Sequence, residues 1–310
     1  MWEWGKSITD VPGLTVGVAE NVEAQTGCTV ALFKDGAVAG VDVRGSAPGS
    51  SEIEAIKPVR VVDKIHGVLL AGGSAFGLSA SVGVIKYLEE QGIGYDVQVA
   101  RVPIVPTAVI FDLRVGSSKI RPDFEMGYEA AKNASNAHPP IGLHGVGIGA
   151  SAGGISGKDR SRGGFGTASI RINDEISVGV MTVANPLGNV VDYKTGKVIA
   201  GNLDRNEWIL PKSGEPWIEN TVLALVATNA KLNKEEATKV AQMAHDGIAR
   251  TVFPAHTMYD GDVVFAVSTS TVECNINIIG DAAAEAVAHS IILGVSAANG
   301  IELDTTVGKL

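Results

Sequence analysis

The segment FPAHTMYDGDVVFA, residues 253–266, sets a lone threonine, Thr257, between a proline-broken stretch and an acidic turn that enters an apolar run. A threonine hydroxyl attacks carbonyls only when a base takes its proton. One such base is the residue's own α-amine, whose ordinary pKa of about 7.7–8.0 suits neutral pH. That amine exists only if the bond before Thr257 is cut. A threonine used this way sits at the start of a strand with its peptide bond exposed at the edge of a site. Pro254 ahead of Thr257 and DVVFAVST behind it fit that arrangement, and they fit an ordinary loop as well.

Other patterns are weaker on their own terms. Gly149-Ala-Ser151-Ala-Gly153 matches the nucleophile elbow G-x-S-x-G, but GISGKDRSRGG follows where a helix is needed. Gly147-x-Gly149-x-x-Ala152 is a partial dinucleotide fingerprint without the helix it should open. Gly157-Lys158 fails as a phosphate loop, because Ala152 replaces the leading glycine and Asp159 the Ser or Thr. Asp260-Gly-Asp262 reads as a solvated turn rather than a divalent-metal site. His66, His138, His144, His245, His256 and His289 show no ligand spacing, so neither metal nor cofactor is expected. His245 and His289 read as surface or core-edge positions on helices.

The elements that must position Thr257 follow from periodicity. LTVGVAE (14–20), CTVALF (28–33) and VAGVDVRG (38–45) read as strands, with Asp35-Gly36 as the turn between the last two. A strand ending at Gly72-Gly73 precedes a helix to about Gln91, closed by Gly92. Residues 102–113 read as an irregular segment and a strand, and 123–135 as a helix. From 165 to 230 the pattern is strand again. Asn233 with Glu236 three residues on is a capping box opening a helix. DVVFAVST is a strand, and DAAAEAVAHSIILGVSAA is the last helix. The helices are too few and too unevenly placed for a doubly wound parallel sheet, so a layered α+β arrangement is expected.

At 310 residues the chain can bury a large core, and 45% hydrophobic residues exclude disorder. The longest apolar runs fall short of a membrane span, and MWEWGKSITD, with no basic region before an apolar core, does not read as a signal peptide. Cys28 and Cys274 build no disulfide framework, so a reducing cytoplasm is the simpler reading. A net charge of −9 with scattered basic residues argues against nucleic-acid binding. The 38 glycines, densest between 142 and 166, point to tight turns and backbone-lined sites.

ITDVPGLTVGVAE, GCTVALF, LLAGGSAFGLSAS, VPIVPTAVIFDL, RGGFGTASI, VANPLGNVVD and HTMYDGDVVFA occur in that order. Together they resemble, over nearly all of the chain, the peptidase family of L-aminopeptidase/D-amidase-esterases, β-aminopeptidases and nylon-oligomer hydrolases. The resemblance implies a single domain, an αββα sandwich like those of the N-terminal-nucleophile hydrolases. It implies a precursor that cuts itself between His256 and Thr257, giving residues 1–256 and 257–310. The two pieces would stay together as one unit, and the units would form a homo-oligomer, a tetramer by preference. The substrate would be a small amide or peptide.

By the same resemblance, Asn185 in VANPLG matches an amide donor to the oxyanion; on residue type alone it is a turn residue before a proline. Lys158 matches a lysine beside the nucleophile, against a solvated loop lysine. Glu273 and Asn275 match, in spacing, a polar pair that orients the nucleophile, and Glu273 could instead hold a substrate ammonium. Two other functions stay open at this point: transfer of an acyl group from Thr257 to an amine, and non-catalytic binding of a small molecule.

Overall fold

In a computed structural model of the chain, residues 2–153, 160–201 and 220–302 are described. Their core is built on two sheets. The first runs Gly164–Arg171 (β5), Ser177–Asn185 (β6), Thr221–Ala230 (β7) and Val263–Val272 (β8), and ends on the second half of Thr26–Val43 (β2). The first half of β2 belongs to the second sheet, with Thr15–Asn21 (β1), Ile65–Ala71 (β3) and Thr107–Val109 (β4). These neighbours pair antiparallel except β7 with β8 and β3 with β4, which are parallel.

Successive side chains of a strand point to opposite faces, and here both faces are apolar. Val222, Ala224 and Val226 face one core, whereas Leu223, Leu225 and Ala227 face another. In β8, Val264 and Ala266 alternate with Val263, Phe265 and Val267 in the same way. In β3, Val68 and Leu70 join the inter-sheet core, while Leu69 and Ala71 join a third. The helices close the outer cores. Lys234–Thr251 (α3) and Ile276–Ala298 (α4) cover the first sheet; Ala80–Glu90 (α1) and Phe124–Lys132 (α2) cover the second. The order is helices, sheet, sheet, helices, the expected αββα sandwich.

Local sequence explains the ends. Asn233 accepts from the Glu236 N–H and the Glu236 carboxylate accepts from the Asn233 N–H, both at 2.8 Å, completing the capping box of α3. α4 lies so close to β5 that a Cβ on Gly166 would stand 1.9 Å from the Ser290 carbonyl oxygen, so only glycine fits there. Among the described residues α4 is long and apolar enough to cross a membrane, but 78% of its apolar window is buried inside the fold, which makes it a core helix.

Two expectations need correction. Residues 28–33 and 38–45 are not two strands joined by a reversal. They belong to one 18-residue strand whose register with β3 shifts between Leu32 and Ala37. Gly36, at φ +71°, supports an irregularity rather than a hairpin, and the strand passes from one sheet into the other. His245, expected at a surface or core edge, is fully buried on α3.

Candidate active site

The registers bring three segments to one end of the first sheet. Asn185 at the end of β6 stands opposite Thr221, Leu223 opposite Val263, and Val263 opposite Val43. Thr257 lies just before β8 in the loop that closes this end. That loop is stitched to the start of β7: the Asn220 N–H donates to the Tyr259 carbonyl at 3.0 Å, and the Gly261 N–H donates to the Asn220 carbonyl at 2.7 Å.

The acidic turn is not solvated. Asp260 and Asp262 are each 1% exposed. Thr257 donates to Asp260 Oδ2 twice, from its Oγ1 at 2.6 Å and from its backbone N–H at 2.9 Å. The Tyr259 N–H donates to Thr257 Oγ1 at 3.2 Å, which fixes the rotamer. Asp260 Oδ1 accepts from the Leu187 N–H at 3.4 Å. Burial, and then the neighbouring Asp262 charge, push the Asp260 carboxyl up to about 6 despite these bonds.

Asp262 serves the residue before Thr257. Its Oδ2 accepts from the His256 N–H at 3.1 Å and from His256 Nδ1 at 2.6 Å, while Oδ1 accepts from the Val222 N–H at 2.7 Å. His256 is held at φ +57°, a left-handed conformation that costs a non-glycine residue about 1–2 kcal/mol. Its ring meets the His245 ring edge-on, centroids 4.8 Å apart. Burial lowers the His245 pKa to about 4, so that ring is neutral at pH 7 and gives its Nε2 proton to the Asp42 carbonyl at 3.1 Å. His245 Nδ1 and His256 Nε2 are buried without a partner.

Asn185 is fully buried and its amide orientation follows from its partners. Its Oδ1 accepts from the Ser151 N–H at 2.9 Å and from the Ser151 hydroxyl at 3.2 Å, and its Nδ2 donates to the Phe111 carbonyl at 3.1 Å. A backbone N–H can only donate and a carbonyl can only accept, so oxygen and nitrogen cannot be exchanged. Phe111 follows β4 of the second sheet, so Asn185 ties the ends of the two sheets together beside Thr257. Ser151 spends its hydroxyl on this amide and follows a 3-10 turn, Gly145–Gly149, rather than opening a helix.

A cation completes the cluster. Arg160 Nη2 donates to Asn220 Oδ1 and to the Pro186 carbonyl, and its Nε is buried without a partner. Burial, then the nearby Arg114 charge, lower its pKa to about 10, with Asp260 acting in the opposite direction.

Of the residues singled out in the sequence, the structure thus gathers Thr257, His256 and Asn185 at one sheet end. Lys158 lies outside the described residues. Glu273 and Asn275 do not converge on Thr257. They follow the far end of β8, and ten strand residues at about 3.3 Å each span about 30 Å. Glu273 is exposed and pairs with Lys231 at 2.7 Å, and Asn275 accepts from the Asn277 N–H as the N-cap of α4. Among the described residues, the side chain that bonds the Thr257 hydroxyl is that of Asp260, set aside from the sequence as a turn-former. Its signal was position: an acid three residues after the candidate nucleophile, leading straight into a buried strand.

The profile of Peptidase family S58 matches residues 6–307. The chain belongs to peptidase family S58. It is 37% identical to an uncharacterized aminopeptidase of Mycobacterium leprae, over 95% of this chain and 91% of that protein. It is 32% identical to a 6-aminohexanoate-oligomer endohydrolase of an Agromyces species, over 85% of this chain and 75% of that protein. The fold matches the L-aminopeptidase D-Ala-esterase/amidase of Ochrobactrum anthropi, described as a variant of the Ntn hydrolase fold. The TM-score is 0.72 at 18% identity, over 93% of this chain and 85% of that one. A Burkholderia β-aminopeptidase matches with a TM-score of 0.71 at 20% identity, over 93% and 86% of the two chains. This member of family S58 is a hydrolase of amide or peptide bonds, of the aminopeptidase and amidase kind.

Proposed function

We propose that this chain is a self-processing hydrolase of small amino-terminal amides, peptides or short amide oligomers, with Thr257 as nucleophile. The chain is cut between His256 and Thr257, and the pieces 1–256 and 257–310 remain assembled as the working unit. In turnover, the freed Thr257 amine takes the hydroxyl proton, Oγ1 attacks the substrate carbonyl, and water releases the acyl group. The oxyanion donor on this reading is the amide of Asn185, assigned by family resemblance, with the Arg160 guanidinium on the adjoining Asn220 as a supporting charge, a kind of contact worth a few kcal/mol in such sites. Lys158 is a further cation assigned here by family resemblance. Several units assemble as a homo-oligomer.

One arrangement carries this reading. A half-buried threonine at a sheet end has both its hydroxyl and its amide nitrogen on one buried carboxylate, directly after a residue in a left-handed conformation. Cutting the bond releases His256 from that conformation. The relatives' names support the substrate class: aminopeptidase and 6-aminohexanoate-oligomer endohydrolase both describe hydrolysis of amide bonds. Denaturing electrophoresis is the test. Wild type should run as two pieces and Thr257→Ala as one, and a wild-type chain that stays whole while hydrolysing amides would refute the reading.

A further inference from the structure

We propose that Asp260 is the catalytic base of the self-cleavage, taking the Thr257 hydroxyl proton as the chain is cut and returning it to the departing Thr257 nitrogen. This rests on the reading of Thr257 given above and supplies what that reading lacks. The α-amine that serves later turnover does not exist before the cut, when the nitrogen of Thr257 is an amide with no basic lone pair. The uncut chain therefore needs another proton acceptor.

Asp260 Oδ2 is that acceptor by position. It lies 2.6 Å from Thr257 Oγ1, the atom that must lose a proton, and 2.9 Å from Thr257 N, which now donates its N–H to it and gains a basic lone pair once the His256 carbon becomes tetrahedral. Both distances are within the reach required of a general acid–base. One oxygen can thus serve both halves of the step. The Oγ1 proton passes to Oδ2 while Oγ1 bonds to the His256 carbonyl carbon, closing a five-membered ring with an oxyanion. The ring opens by breaking the bond from that carbon to Thr257 N, which takes the proton back from Oδ2. The product is an ester between His256 and Thr257 with a free amine. Water then adds to the ester carbon, the bond to Oγ1 breaks, one water proton goes to Oγ1 and the other to the freed amine, and the His256 carboxylate and Thr257 hydroxyl remain.

Among the described residues no other group near the threonine is so placed. Asp262 spends its oxygens on His256 and the Val222 N–H. The His256 ring is held by Asp262 and the His245 ring from α3 donates to Asp42, the unpartnered nitrogen of neither ring bonds Thr257, and Arg160 is a donor only. Asp260 is also suited in strength. An ordinary aspartate is a feeble base, whereas this carboxyl, raised by burial and by Asp262, binds a proton with a midpoint of about 6. The titratable and charged groups facing it are Asp262 and His256 on its own loop, Arg160 from the adjoining segment, Arg114 near Arg160, and His245 behind His256.

The bland alternative is that Asp260 only caps the turn, and pH separates the two. Full-length chain made in a short cell-free translation pulse is diluted into buffers from pH 4.5 to 8, and cutting is followed by electrophoresis. The wild-type rate should rise about tenfold per pH unit up to about 6 and then level off. Amide turnover by the cut enzyme should instead rise toward the amine range of about 7.7–8.0. Asp260→Asn should cut about 100-fold more slowly or worse, at unchanged melting temperature. A flat wild-type profile, or Asp260→Asn cutting within threefold of wild type, overturns the proposal. If Asp260→Asn does not fold, the wild-type profile decides alone. A wild-type chain that never cuts overturns the Thr257 reading itself, a different result from one that cuts independently of Asp260.

Discussion

Asn185 links the two sheets, and its replacement should be felt in stability as well as in chemistry. In Asn185→Ala the Ser151 N–H loses its acceptor and the Phe111 carbonyl loses its donor. Ser151 is 4% exposed and Asn185 fully buried, so little water can replace the missing groups. An orphaned buried backbone group costs about 1–3 kcal/mol, and the half-buried Phe111 carbonyl belongs at the low end of that range. The expected loss is about 2–4 kcal/mol. For a chain of 310 residues that is a drop of roughly 3–6 °C in Tm. The measurement is urea unfolding on a Thr257→Ala background, so that self-cleavage does not alter the species being melted. Asn185→Asp sharpens the test. It keeps the acceptor for Ser151 but turns a carboxylate oxygen toward the Phe111 carbonyl, and it should be at least as destabilising as alanine. If Asn185→Ala unfolds within 0.5 kcal/mol of its parent, about the scatter of a neutral surface change, the link between the sheets described here is wrong.

Two other consequences are simpler to check. His245 has its pKa lowered from 6.5 to about 4 in the fold, so between those values the unfolded chain binds more protons and stability rises with pH. At about 1.36 kcal/mol per unit this amounts to at most about 3 kcal/mol, fully present above pH 6.5 and lost as pH falls toward 4. Asp260, raised to about 6, acts in the opposite direction over an overlapping window. Urea unfolding of the Thr257→Ala chain with and without His245→Gln isolates the histidine: the variant's stability should depend less steeply on pH between 4.5 and 6.5, and equal slopes would contradict the assignment. Glu273→Ala and Asn275→Ala should leave the rate of self-cleavage unchanged, because both residues follow the far end of β8. A tenfold loss in either would show that they reach Thr257 after all.

How far the sequence carried the fold depends on whether each signal was local. The α3 start was plain from Asn233 and Glu236, because a capping box is complete within four residues. The strands at 177–185 and 221–230 were plain because short apolar runs rich in β-branched residues and bounded by turn residues read as buried strands. The single strand through Asp35-Gly36 was hidden, since the same glycine conformation serves a hairpin and a bulge and only the partner strands decide between them. The site divides in the same way. Thr257 and Asn185 could be named by resemblance, but the burial of Asp260 and Asp262 could not. It depends on the Leu187 and Val222 N–H groups, which arrive from 73 and 40 residues away in sequence. The Glu273–Asn275 spacing fitted the family pattern; the direction of β8 removes the pair from the site.

N-terminal sequencing of purified enzyme that hydrolyses an amide substrate tests the central claim most directly. Two N-termini are expected in equal amounts, one from the start of the chain and one reading Thr-Met-Tyr-Asp-Gly from residue 257. An active preparation with a single N-terminus, or a second one beginning anywhere but Thr257, would contradict it.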